Sequence, residues 1–199
     1  MTYRSYRRFP PNSIWILVAA NLLLFIAVLA QPQLILLLGL QPLGLLERPW
    51  TIVTNLFIHG SMWHIAANML TLYFFGRFLS MLIGDARFLT VYFLGGIIGS
   101  LFYILLASPY YTAIGASGAV FAIGGALAVM APKLRVYVFP IPAPLPLWAG
   151  LIGVFVIISI FPYVAWQAHL GGLILGLLAG YFFRRRQRNM LLWPRGRTT

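Results

Sequence analysis

Six apolar runs separated by short polar breaks lay out this chain: residues 13–30, 63–83, 88–107, 114–131, 147–161 and 165–183. A helix crosses a bilayer core with roughly 20 apolar residues, within a range of about 17–25, so the runs predict an all-α polytopic membrane protein of six spans, the fifth short. A further apolar stretch, 34–46, is broken by Gly39, Pro42 and Gly44. It predicts an interfacial or partly inserted loop. Pro140, Pro142, Pro144 and Pro146 exclude helix and predict an extended connector before the fifth span. The first run admits a signal-peptide reading, with Arg7 and Arg8 ahead of it and Val28-Leu29-Ala30 as a cleavage site. Its apolar core is long for that, and a retained span is preferred.

Composition points the same way. Of 199 residues, 61% are hydrophobic and 8% charged, against about a quarter charged in a soluble domain. The formal net charge of +12 raises nucleic acid as a partner. The basic residues, however, lie between and beyond the apolar runs and make no basic face, so they read as orientation signals and no nucleic-acid partner is expected. Arg4, Arg7, Arg8, Arg77, Arg87, Lys133, Arg135, Arg184, Arg185, Arg186, Arg188, Arg195 and Arg197 fall on one side of a six-span layout, and Arg48 alone on the other. The positive-inside rule makes the first side, with both termini, cytoplasmic. The chain then divides into a cytoplasmic N-terminal segment (1–12), a transmembrane domain (13–183) and a basic cytoplasmic tail (184–199) that anchors to lipid headgroups. The absence of cysteine excludes disulfides, thiolate nucleophiles and thiolate metal sites.

Strongly polar side chains inside a membrane are costly and point to function. His64, Asn68, Ser117 and His169 each fall at the outer end of a span, within roughly 10 Å of the outer interface at 1.5 Å rise per residue. Three helices thus bring polar groups to one depth. His64 and Asn68, four apart, share a helix face. Gly172, Gly176 and Gly180 follow His169 at helical spacing, and the fourth span carries Gly115, Gly118, Gly124 and Gly125. Small-residue stripes let two helices pack closely, which would carry Ser117 towards His169. In Gly115-Ala116-Ser117-Gly118 the small neighbours leave the hydroxyl accessible. The first N–H groups of the helix it opens lack partners and favour a developing anion. These residues suit a serine nucleophile (Ser117), a histidine general base (His169), and an oxyanion hole from the Ser117 N–H, His64 and Asn68. The carboxylates are Glu47, in a loop, and Asp85, at the other membrane face, so a dyad is expected and not a triad.

Each feature has a plainer reading. A membrane serine usually bonds a carbonyl, His64 and Asn68 could be interhelical glue, and a glycine stripe is more often packing. The coincidence in depth favours function. A three-histidine metal site fails on geometry, because His59 and His64 are five apart, about 140° around a helix, with no HExxH and no nearby carboxylate base. No metal or other cofactor is expected, and His59 is assigned to tying down the loop backbone before the second span. Trp50, Trp63, Trp148, Trp166, Tyr110, Tyr111 and Tyr163 read as an interfacial aromatic belt.

Taken jointly and in order, His64-x-x-x-Asn68, Gly76-Arg77, Gly115-Ala116-Ser117-Gly118 and Ala168-His169-x-x-Gly172-x-x-x-Gly176 make the chain resemble, over nearly its whole length, the rhomboid family of intramembrane serine proteases. The resemblance implies a six-transmembrane-helix rhomboid-like bundle, with Ser117 and His169 as the catalytic pair and His64, Asn68 and the Ser117 N–H as oxyanion donors. Gly115, Ala116, Gly118, Phe121, Gly172 and Gly176 are the implied supporting residues. Also implied are a loop 34–50 embedded in the outer leaflet, a loop 162–166 capping the site, and cleavage of single-span membrane proteins at small residues near the outer face without a cofactor. Two positions depart from the family pattern. Ser80 stands where Glu is frequent, so its bonding to the first loop must differ or be absent. Phe121 stands where many members have Tyr, which leaves a ring to stack on His169 but no hydroxyl. Arg48-Pro49-Trp50 matches the family's Trp-Arg pair only loosely. The competing readings are a catalytically inactive rhomboid-like protein that binds transmembrane helices and, further off, a small transporter relaying protons through its histidines. The plasma membrane of a prokaryote is the expected location.

Overall fold

The structure, a computed structural model, describes residues 12–138, 141–162 and 164–192, with side chains from 13 to 186 within those limits. Arg4, Arg7, Arg8, Pro140, Tyr163, Arg195 and Arg197 lie outside the described residues, and the Arg188 side chain lies outside the described side chains. Helix α1 (Asn12–Ala30) leads into a folded loop that holds α2 (Leu34–Leu38), α3 (Thr51–Thr54) and 3₁₀ turns at Pro42–Gly44 and Asn55–Phe57. Then α4 (Met62–Thr71) runs through a π-helical turn, Leu72–Gly76, into α5 (Arg77–Ile83). The remaining helices are α6 (Asp85–Leu106), α7 (Ser117–Met130), α8 (Leu147–Ser159) and α9 (Trp166–Leu192).

Among the described residues, four stretches are long and apolar enough to cross a membrane: Ser13–Ala30, Met62–Ile83, Asp85–Leu106 and Trp166–Arg186. Large apolar side chains point outward along them, with Leu23 68%, Leu105 77% and Phe182 75% exposed. Such surfaces suit hydrocarbon as the solvent, and the helices satisfy their own backbone groups. The two other apolar helices, α7 and α8, are shorter.

The fourth apolar run, expected to be helical from 114, becomes so only at Ser117. Gly115 sits at φ +116°, outside the helical range. Ahead of it, Ala113 exchanges both backbone hydrogen bonds with Leu40, at 2.8 and 2.9 Å. What remains, α7, is about 21 Å long at helical rise, yet it lies at the centre of the bundle, buried almost continuously from Gly118 to Leu127. Its glycines and alanines allow this. A Cβ on Gly172 would collide with the Gly118 carbonyl, one on Gly176 with the Ala122 carbonyl, and one on Gly180 with the Ala126 carbonyl. Helices α7 and α9 therefore run parallel in backbone contact. Helix α6 crosses antiparallel, with Gly95 against Ala122 and Gly99 against the Ala168 carbonyl.

These contacts set Gly99, Gly118 and Ala168 at one level. Asp85 lies about 21 Å along α6 from Gly99, where its carboxylate accepts from the Ser13 hydroxyl and, at 3.4 Å, from the Ser80 hydroxyl. Ser80 thus joins α5 to α6 at that end and makes no bond to the first loop. Arg184 donates to the Val129 carbonyl (3.1 Å), at the end of α7 remote from Ser117.

Two connectors are more ordered than expected. After α7, β1 (Arg135–Val136) pairs antiparallel with β2 (Leu145–Pro146), Arg135 opposite Pro146. The proline is tolerated because a two-strand ribbon is all edge. In the first loop, the Arg48 guanidinium, the Trp50 indole N–H (3.1 Å) and the Thr54 hydroxyl (2.7 Å) donate to the Leu36, Leu37 and Leu38 carbonyls. These are end carbonyls that a short helix leaves open. Trp50, expected in an aromatic belt, also anchors this loop.

Candidate active site

Ser117 is the first residue of α7. The helical ladder starts with the Val120 N–H donating to the Ala116 carbonyl at 2.9 Å, so the N–H groups of Ser117, Gly118 and Ala119 precede it. His169 comes from the first turn of α9. Its Nε2 lies 2.7 Å from Ser117 Oγ, and its ring stacks on Phe121 with centroids 4.7 Å apart and planes at 24°. Among the described residues its buried Nδ1 has no hydrogen-bond partner, and neither Glu47 nor Asp85 backs this imidazole.

His64 and Asn68 approach from α4, whose N-terminus is capped by Ser61 Oγ accepting the His64 N–H at 3.2 Å. The Asn68 amide donates one hydrogen to the His64 carbonyl (2.8 Å) and keeps a second. A Cβ built on Gly115 would lie 2.6 Å from His64 Nε2 and 3.7 Å from Ser117 Oγ, a measure of how tightly these groups crowd one point. His64, Asn68, Ser117, Phe121 and His169 all line a cavity of about 560 Å³, whose other walls are apolar apart from Thr71 and Tyr137 and run past Phe74 and Val154 to Val138. Gly115, Ala116 and Gly118 form the turn that presents Ser117, and Gly172 and Gly176 set the spacing of α7 from α9.

Several neighbours of the site were not expected. The Asn55 carbonyl accepts the Gly115 N–H at 2.9 Å. The Asn55 amide bonds the Thr51 and Ile52 carbonyls (2.6 and 2.9 Å) and meets the Ser100 hydroxyl at 3.0 Å. The sequence signal for Asn55 and Ser100 is polarity within apolar surroundings. His59, expected to tie down the loop backbone before α4, faces the Phe57 carbonyl of that loop and also reaches beyond it. Its Nε2 accepts the Ala116 N–H at 3.5 Å, and its ring meets that of His64 edge-on at 4.8 Å. The reason is that chain 55–59 folds back onto the turn 113–116. Burial foremost, then the neighbouring His64, push the His59 imidazole down to about 3 against a weaker pull from the Phe57 carbonyl, so it is neutral at physiological pH.

Residues 46–186 match the Rhomboid domain. Rhomboid protein 1, mitochondrial, of Saccharomyces cerevisiae is 29% identical over 185 residues, covering 79% of this chain and 51% of that protein. Inactive RHOMBOID-like protein 8 of Arabidopsis thaliana is 32% identical over 127 residues, covering 63% and 35% respectively. Rhomboid protease GluP of Bacillus subtilis is 32% identical over 138 residues, covering 67% and 25%. The chain thus spans about half or less of the length of these relatives. Helices built for a bilayer, gathered around a glycine-packed pair that brings polar groups to one cavity, define the class as an integral membrane protein. The chain belongs to the Rhomboid family, whose members include proteins named as proteases and a protein named as inactive.

Proposed function

We propose that this chain is an intramembrane serine endopeptidase working through a Ser117–His169 dyad. The observation that supports this most is the 2.7 Å separation of Ser117 Oγ from His169 Nε2 inside an apolar-walled cavity. In this reading His169 takes the hydroxyl proton as Oγ attacks the scissile carbonyl carbon. The oxyanion is received by the Ser117 N–H and the His64 and Asn68 side chains. His169 returns the proton to the leaving amine, and the acyl-serine ester is then opened by a water that the same imidazole deprotonates. Phe121 stacking takes over the orienting role that a carboxylate has in a triad. The apolar walls suit a single-span transmembrane protein as substrate, cut near the outer membrane face.

The topology proposed with it has six spans, α7 and α8 being short ones wrapped by protein, with both termini cytoplasmic. Segments 1–12 and 184–199 flank the membrane domain 13–183. Charge supports it, since Arg48 is the one described basic residue in the loop that pairs with Ala113, beside Ser117. The plasma membrane of a prokaryote is the proposed location, checked by fractionating cells that express the tagged chain.

Purified protein in liposomes should cleave a transmembrane reporter, and Ser117→Ala and His169→Ala should not. Undiminished cleavage by Ser117→Ala would refute the reading. A second reading, an inactive rhomboid-like protein that binds transmembrane helices, draws on the likeness to a relative named inactive. Fluorophosphonate labelling of wild type but not Ser117→Ala excludes it.

A further inference from the structure

The two peptide N–H groups just ahead of Ser117 are both held by one stretch of chain. The Gly115 N–H donates to the Asn55 carbonyl (2.9 Å) and the Ala116 N–H to His59 Nε2 (3.5 Å). Between these anchors Gly115 is kept at φ +116°, a conformation that persists only where its surroundings impose it. A backbone N–H can only donate, so His59 Nε2 is the bare nitrogen of a neutral ring and Nδ1 carries the proton. The same ring lies edge-on to His64. His59 has no exposed surface and no part in lining the cavity, so it meets no substrate. It touches the turn that presents Ser117 and the imidazole next to it.

We propose that His59 is a positioning residue: as a buried hydrogen-bond acceptor it fixes the Ala116 peptide, so that Ser117 Oγ, the Ser117 N–H and the His64 ring converge on one point. The inference rests on the reading of Ser117 and His169 as an active dyad. With the Gly115 and Ala116 N–H groups already bonded, the N–H groups from Ser117 onward are those left for an anion. A residue that only fills space is replaceable by a ring of similar size, whereas an acceptor is replaceable by another acceptor.

The test measures the fluorophosphonate labelling rate, kcat and KM on a transmembrane reporter, and thermal unfolding, for wild type, His59→Phe, His59→Gln, Ala116→Pro and the His59→Phe/Ala116→Pro double variant. Phenylalanine keeps a ring without an acceptor, and glutamine keeps an acceptor without a ring. Proline deletes the donor at a residue whose φ of −70° it can adopt. His59→Phe and Ala116→Pro should label and turn over about tenfold more slowly, the size of one lost hydrogen bond. KM should stay within about twofold. His59→Gln should recover most of the rate, and the double variant should be no slower than either single one, because both remove the same bond. His59→Phe at wild-type rate, or His59→Gln as slow as His59→Phe, overturns the proposal. Should His59→Phe fail to fold, the other two single variants decide: a fast His59→Gln with a slow Ala116→Pro supports it, and any other pattern overturns it. A wild type that neither labels nor cleaves is a separate outcome, which removes the protease reading itself.

Discussion

At Gly115 the backbone stands at φ +116° and His64 Nε2 occupies the space that a side chain would need. Gly115→Ala adds backbone strain of about 1–3 kcal/mol and displaces an imidazole, so fluorophosphonate labelling of Ser117 should fall at least about tenfold. Gly153→Ala, with nothing within 4 Å of the new Cβ, should label like wild type and serves as the control. His64→Ala should lower kcat on the reporter by about a hundredfold with KM little changed, because an oxyanion donor acts in the transition state. Phe121→Tyr preserves the ring stacked on His169 and should keep activity near wild type. Phe121→Ala leaves the imidazole unsupported and should lose most of it, as read in the same assay.

Helices α7 and α9 meet backbone to backbone, so their spacing, and with it the Ser117–His169 distance, depends on three glycines in register with three carbonyls. Gly176→Val drives a branched Cβ into the Ala122 carbonyl oxygen. Overpacking of this kind costs about 1–3 kcal/mol or forces the helices apart. A lowered unfolding temperature in detergent, together with slower labelling of Ser117, is the expected result; unchanged values in both measurements contradict the packing argument. Helix α4 differs in kind. Its π-helical turn, Leu72–Gly76, sits beside the cavity and puts Phe74 and Phe75 on the lining.

For the molecule as a whole, the lack of cysteine makes topology directly measurable. Leu46 is almost fully exposed in the first loop, and Arg185 is exposed near the opposite end of the bundle. In intact cells a membrane-impermeant maleimide should label Leu46→Cys, and should reach Arg185→Cys only after permeabilisation. The reverse pattern would contradict the orientation drawn from the positive-inside rule.

The four long apolar helices were legible from sequence because hydrocarbon demands long apolar runs whatever their neighbours are. The expected runs 88–107 and 165–183 fall within a few residues of Asp85–Leu106 and of the apolar part of α9. Polarity in apolar surroundings marked His64, Asn68, Ser117 and His169 for the same reason. The start of α7, the β1–β2 pairing and the folded first loop were not legible, since each depends on a partner outside its own segment: Leu40 for Ala113, Leu145 for Val136, Thr54 for Leu38. His59 shows the difference most sharply. From sequence alone it was a loop residue five positions from His64. The return of chain 55–59 onto the turn before Ser117 made it the acceptor for Ala116. Local composition therefore determined which side chains the membrane would not tolerate without a purpose, because burying a polar group is costly wherever it occurs. Only the tertiary structure decided which of them meet, because a hydrogen bond requires atoms from distant segments to come within about 3 Å.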